Sequence, residues 1–257
     1  MSGTKLKYLI ICRVFFCACY AVTWNIGSIM PTIYGKDPQS CAFHPAIFPD
    51  TMCFASSWSN TFRGFGIQEG MIYGASSQFD VSVITQYHRL MSNHQLNIGF
   101  PILNEENIKA GLQLHYTLSA LHGVDSKHKG SCSGGLIISP MSGWQVSLYS
   151  MHMLGYPRDS TEHILEAKIG AMSSIRILPS LKLAVQTHKM VNTSWRLLVG
   201  ATWQPIHIMS MGLKYELGND NIFFDIVVSP GKWRLRLSLG LYRYLGLTQQ
   251  VMIAYVR

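Results

Sequence analysis

The sequence predicts an all-β chain, an antiparallel up-and-down transmembrane barrel of about 14 strands. Three observations carry this: a composition too apolar for a water-soluble surface, a two-residue alternation repeated along the chain, and an export-type leader. Hydrophobic residues make up 48% of the 257 residues and charged residues 13%, about half the charged share of a soluble domain. So little charge does not cover a soluble surface. Yet no run after residue 24 supplies the roughly 20 unbroken apolar residues that a spanning helix requires. A membrane composition without a membrane helix points to strands.

The leader comes first. Lys5 and Lys7 precede an apolar run from Tyr8 to Ala21, broken only by Arg13, and the small residues Ala18 and Ala21 offer a cleavage point. Residues 1–21 are read as a signal peptide. Two other readings stay open, a lipid anchor on Cys19 and an apolar segment retained in the fold. Taking Lys5, Lys7 and Arg13 from the 21 basic residues leaves 18 against 13 acidic ones. The surplus is scattered without a dense basic run, so no nucleic-acid partner is expected. Three of the six cysteines, Cys12, Cys17 and Cys19, fall in this leader. In an oxidising compartment Cys41 and Cys53 are close enough in sequence for a disulfide, with Cys132 left over; isolated thiols are the equal alternative.

From about residue 54 the alternation begins. Ile108, Ala110, Leu112, Leu114, Tyr116 and Leu118 share one face, while Lys109, Gly111, Gln113, His115, Thr117 and Ser119 share the other. A helix would scatter both sets around its circumference. Val81, Val83, Thr85 and Tyr87 oppose Ser82, Gln86 and His88. Leu181, Leu183 and Val185 oppose Lys182, Gln186 and His188. Trp195, Leu197, Val199 and Trp203 oppose Arg196, Gly200 and Thr202. Trp233, Leu235, Leu237 and Leu241 oppose Arg234, Arg236 and Ser238, and the chain closes with Val251, Ile253 and Tyr255 against Thr248 and Gln250. Turn residues separate the runs at 104–107, 123–130, 140–143, 155–160, 218–221 and 230–231. No linker divides them, so residues 54–257 form one barrel domain.

A soluble sandwich also alternates. Three features favour the barrel: a polar face of Gln, Ser, Thr, Gly and His suited to a wet lumen, short sequential connections, and aromatic residues near run ends. Trp144, Trp195, Trp203, Trp233, Tyr215 and Tyr255 are placed to form interfacial girdles.

Two stretches carry a family resemblance. Cys41-Ala42-Phe43-His44-Pro45-Ala46 looks like an Asn-Pro-Ala-type segment ahead of a first strand, and Leu245-Gly246-Leu247-Thr248, running on to Tyr255, looks like a closing hairpin. Both are similar to outer-membrane barrels of the FadL type, especially the PorV/PorQ-like proteins of Bacteroidetes. The resemblance implies that residues 22–53 fold inward as a plug-like segment bearing His44, Pro45 and Ala46. It implies no catalysis and no cofactor. The implied work is transport of a hydrophobic or small molecule, or an accessory role in a type IX-like secretion system. The outer-membrane bilayer would be the first partner, with a hydrophobic ligand or secretion subunits beyond it.

The polar residues suggest little enzyme chemistry. His115, His122, His128 and Asp125 match no established metal spacing, and no metal site is expected. No Gly-x-Ser-x-Gly elbow occurs, and a Ser82, His88 and Asp80 triad can be drawn only as one among many. A sharper candidate is a ladder of lumen charge: Lys168, Lys182, Arg196, Arg234 and Arg236, balanced by Glu166, Glu216 or Asp225. It reads either as a path for an anion or as a network that fixes register.

Overall fold

The computed structural model describes residues 42–61, 66–121, 124–153, 167–190 and 193–257. The expected signal peptide, residues 22–41 with Cys41, and Glu166 lie outside them. The first seven strands are β1 (Cys53–Thr61), β2 (Ile67–Ala75), β3 (Asp80–His88), β4 (Met91–Asn104), β5 (Ile108–Leu121), β6 (Val124–Met141) and β7 (Trp144–Met151). Seven more follow: β8 (Lys168–Leu178), β9 (Leu181–Met190), β10 (Arg196–Ile206), β11 (Met209–Leu217), β12 (Asn221–Val228), β13 (Trp233–Tyr242) and β14 (Gly246–Val256). Each strand pairs antiparallel with its sequence neighbours, and β1 pairs with β14 from Cys53↔Val256 to Asn60↔Gln249. The fold is therefore a closed up-and-down barrel of 14 strands. Closure leaves no edge, which is what allows a sheet to sit in lipid with its backbone groups paired.

The two rims differ. Where β1 begins and β14 ends, hairpins turn within residues 76–79, 105–107, 142–143, 179–180, 207–208 and 229–232. On the opposite rim the connection from β7 to β8 runs over residues 152–167. Short turns mark the periplasmic rim of such barrels and longer loops the outer one. Three prolines lie inside strands, Pro101, Pro140 and Pro205, each within a register shift: Pro101/Leu103, Ile138/Met141 and Trp203/Ile206. Proline has no N–H for the ladder, so the irregularity falls where it stands.

The alternation sorts side chains as the sequence predicts. On β13, Trp233, Leu235, Leu237 and Leu241 are 41–53% exposed, whereas Arg236 and Ser238 fall to 3% and 1%. Phe54, Trp58, Ile72, Val83, Leu112, Leu114, Val251 and Ile253 extend the exposed apolar surface around the wall. A patch of that extent marks a lipid-facing surface. Trp144, Trp203, Trp233 and Tyr255 lie toward the periplasmic rim, with Trp233 and Tyr255 edge to face at 5.3 Å. Trp195 and Tyr215 lie toward the outer rim. These are two aromatic belts at the two interfaces.

One expected turn is corrected. Residues 124–130 are not a turn but the first part of β6, with Lys127 opposite Ser119, His128 opposite Leu118 and Gly130 opposite Tyr116. The β5–β6 hairpin is longer than a bilayer needs, and Lys127 and His128 are exposed at its end. Where a strand leaves lipid its outward residues no longer need to be apolar, so the alternation fades while the ladder continues.

Candidate lumen site

The inner wall carries three features: a seat for the N-terminal segment, a network of side-chain hydrogen bonds and an ionic network. The seat is made by two glycines. Gly111 on β5 and Gly135 on β6 are register partners. A Cβ on Gly111 would stand 1.9 Å from the Pro45 carbonyl oxygen and 2.8 Å from Phe48. A Cβ on Gly135 would stand 3.0 Å from His44 and 3.1 Å from the Ala46 nitrogen. The bare backbone there lets a second chain segment lie flat on the wall. Ala42, Phe43, His44, Ala46, Ile47 and Phe48 are all buried, against an apolar cluster that includes Cys53, Tyr73, Ile137 and Met252.

Hydrogen bonds fix this segment. The Ala46 amide donates to His44 Nδ1 at 3.2 Å, so the ring proton sits on Nε2, which donates to Ser147 Oγ at 2.6 Å. Gln113 Nε2 donates to the Ala42 carbonyl at 3.3 Å, and the Tyr149 ring meets His44 edge-on at 5.6 Å. Burial pushes His44 down to about 4, with its own backbone hydrogen bond acting in the opposite direction. A neutral ring is what this geometry needs, because a protonated Nδ1 could not accept from Ala46.

The hydrogen-bond network covers β2 to β6, with Glu69 and Asp80 as its acidic acceptors. His115 Nδ1 donates to Asn97 Oδ1 at 2.7 Å and its Nε2 accepts from Ser133 Oγ at 2.6 Å. Asn97 Nδ2 donates to Ser82 Oγ at 2.8 Å, and Gln113 Nε2 reaches Asp80 at 3.3 Å. Closer to the outer rim, Ser119 donates to Asn93, Asn93 to Gln86, and Gln86 to the Glu69 carboxylate at 2.8 Å. Side-chain chains of this kind stiffen the wall beside the apolar cluster that seats residues 42–48.

The ionic network occupies β8 to β13. Asp225 on β12 takes Lys214 Nζ at 2.5 Å, Arg236 Nη2 at 3.1 Å and Ser238 Oγ at 2.6 Å, all buried. Glu216 on β11 takes Arg196 Nη1 at 3.3 Å, Asn219 at 2.9 Å and Asn221 at 2.6 Å. Lys168 is buried with Nζ 5.8 Å from the Tyr149 ring centre, and Lys182 donates to Gln145 at 3.4 Å. Arg234 is half-buried near the periplasmic rim.

Each sequence candidate thus has a place. Lys168, Lys182, Arg196, Arg234 and Arg236 all share the lumen face of this half, staggered from rim to rim, with Glu216 and Asp225. Lys214, which the ladder omitted, is the closest partner of Asp225; it is a lysine inside an alternating run, visible in the sequence once β11 is known to adjoin β12. Glu166 and Cys41 lie outside the described residues, while Cys53 is buried at the start of β1. Of the histidine group, His122 lies outside the described residues; His115 faces the lumen, whereas His128 is exposed and bonds the Tyr116 hydroxyl at 2.5 Å. Asp80 and His88 stand at opposite ends of β3, ~27 Å apart along the strand.

Apolar outside, polar inside and closed without an edge, the chain is a membrane-spanning β-barrel of the outer-membrane class. No protein-family model and no curated protein sequence matches it. Among solved structures it is similar in fold to the Pseudomonas putida toluene transporter TodX, at TM-score 0.55 and 8% identity, covering 83% of this chain and 90% of that one. A Pseudomonas aeruginosa FadL homologue aligns at TM-score 0.54 and 10% identity, covering 91% and 97%. The Acinetobacter baumannii outer membrane protein Omp33 aligns at 0.52 and 6%, covering 81% and 98%.

Proposed function

We propose that the chain is a non-enzymatic transport barrel of the outer membrane, with residues 42–48 as part of a plug-like segment that controls the lumen. The observation that carries this is the glycine seat: Gly111 and Gly135 lie where a polar wall holds a second chain segment inside the barrel. A wall built only for strength has no need of two bare facing positions. The FadL-type likeness supports the same reading, since TodX is described as a toluene transporter. A hydrophobic or small polar molecule is the proposed cargo.

The test is planar-bilayer recording of the refolded barrel beside Gly111→Val. Transport with a controlling segment predicts small or rare openings in the native barrel and larger ones in the variant. Identical silent traces from two folded proteins would defeat the reading. The buried segment also favours a second one, a sealed accessory barrel of a type IX-like secretion system. That reading predicts no current from either protein and the co-purification of secretion subunits.

A further inference from the structure

We propose that Tyr244, Arg243 and Asp220 form a sugar-binding platform on the outer rim, and that it takes a neutral sugar unit from the headgroup of an outer-leaflet glycolipid. The proposal rests on the barrel's place in the outer membrane and not on the transport reading.

Two neighbouring turns build the platform. β11 turns into β12 over residues 218–220 and β13 into β14 over residues 243–245, so the two turns flank β12 on the outer rim. Gly218 and Asp220 have φ of 88° and 53°. Glycine takes that conformation freely; Asp220 is tied down twice, accepting from the Tyr215 hydroxyl at 2.5 Å and from Arg243 Nη1. The Arg243 amide donates to Asn221 Oδ1 at 3.2 Å, and Asn219 and Asn221 both donate to Glu216 below them. The turns are thus fixed to each other and to the wall before any ligand arrives.

On this frame Tyr244 is 81% exposed, more than any other large apolar side chain among the described residues. Ile72 follows at 69%, but it lies on the lipid wall, where exposure is to acyl chains. Tyr244 lies on a turn above that wall, in water. The Arg243 guanidinium stands 5.3 Å from the centre of the Tyr244 ring, and Asp220 pins that guanidinium. One face of the ring is backed and the other is open. A fixed aromatic face loses little freedom on binding.

Charge and shape set the ligand class. Arg243 and Asp220 cancel, so the pair selects no ion. Their side chains are 53% and 47% exposed, and they offer N–H donors and carboxylate acceptors beside the ring. A pyranose matches that set, with a face of C–H groups for the aromatic ring and vicinal hydroxyls for the polar pair. Height identifies the source. Tyr215 belongs to the outer aromatic belt and its hydroxyl reaches Asp220, so the platform stands where the headgroups of the outer leaflet begin.

Saturation-transfer NMR from the detergent-folded barrel to the delipidated core oligosaccharide of a rough lipopolysaccharide tests this, with the intact lipopolysaccharide as competitor. We expect transfer to the sugar, displaced by the intact glycolipid and about fivefold weaker in Tyr244→Ala. Tyr244→Trp keeps an aromatic face and should retain binding, and Arg243→Gln should fall between. Unboiled gel mobility verifies that each variant is folded. No transfer to the sugar, or equal transfer in Tyr244→Ala, overturns the proposal. Transfer that the intact glycolipid fails to displace overturns the headgroup as its source and points to a free oligosaccharide. A co-purifying protein lost in Tyr244→Ala while sugar transfer is unchanged would overturn it in favour of a protein contact.

Discussion

On the β2–β6 side of the lumen, amides, hydroxyls and imidazole link in hydrogen-bond chains that end on Glu69 and Asp80, and residues 42–48 lie against that wall. On the β8–β13 side polar side chains close as ion pairs centred on Asp225 and Glu216. The difference teaches what each half is built to tolerate. A network made mostly of amides, hydroxyls and imidazole can carry a docked backbone, because amides such as Gln113 have donors to share with it. An ionic wall holds its own register through the ion pairs of Asp225 and Glu216.

The comparison breaks most severely at Asp225. Asp225→Asn leaves Lys214 and Arg236 buried beside a neutral amide, and removing one partner of a buried pair costs about 3–5 kcal/mol. Urea unfolding from lipid vesicles should show that loss, whereas Asn97→Ala in the hydrogen-bonded half should cost about 1–3 kcal/mol. Equal losses would erase the distinction between the halves.

Gly111→Val comes next. The new side chain collides with Pro45 and Phe48, and overpacking of this kind costs about 1–3 kcal/mol. Displacing the segment relieves the collision more readily than bending the wall, so His44 should become accessible to chemical footprinting while unboiled gel mobility is unchanged. Protection of His44 equal to native would mean that the segment is not seated on the glycines.

Acid should loosen the same seat. The His44 ring titrates lower when docked, about 4, than its ordinary value of 6.5. The undocked state therefore binds the proton first, and docking is fully present above about pH 6.5 and weakens as pH falls toward 4. Footprinting of residues 42–48 across that window should show rising exposure, and Ser147→Ala should shift the curve to higher pH. At the small end, Arg243→Gln removes an exposed pair with Asp220 and should change stability by less than about 1 kcal/mol in the same urea assay.

Much of this wall was legible in the sequence because its period is two and each face has one solvent. Leu235, Leu237 and Leu241 against Arg236 and Ser238 could be sorted without coordinates. The residues of the charge ladder were legible as a face but not as pairs, since pairing depends on register between strands. Lys214 and Asp225 meet only because β11 turns back on β12 with Lys214 opposite Phe223. The β6 extension was misread as a turn because Lys127 and His128 stand beyond the lipid, where polarity carries no strand signal. The glycine seat left a trace, Gly111 and Gly135 inside strands, yet nothing local says that Pro45 would lie over them.

The central claim is that this wall faces lipid on one side and a polar lumen on the other. It is tested most directly by nitroxide labels placed one at a time at positions 235–241 of β13, on a cysteine-free background refolded into lipid vesicles. The account predicts period-two relaxation: high oxygen accessibility at 235, 237, 239 and 241, and low accessibility at 236, 238 and 240. A flat profile, or one in which the odd positions are reached by a water-soluble nickel reagent and not by oxygen, would contradict it.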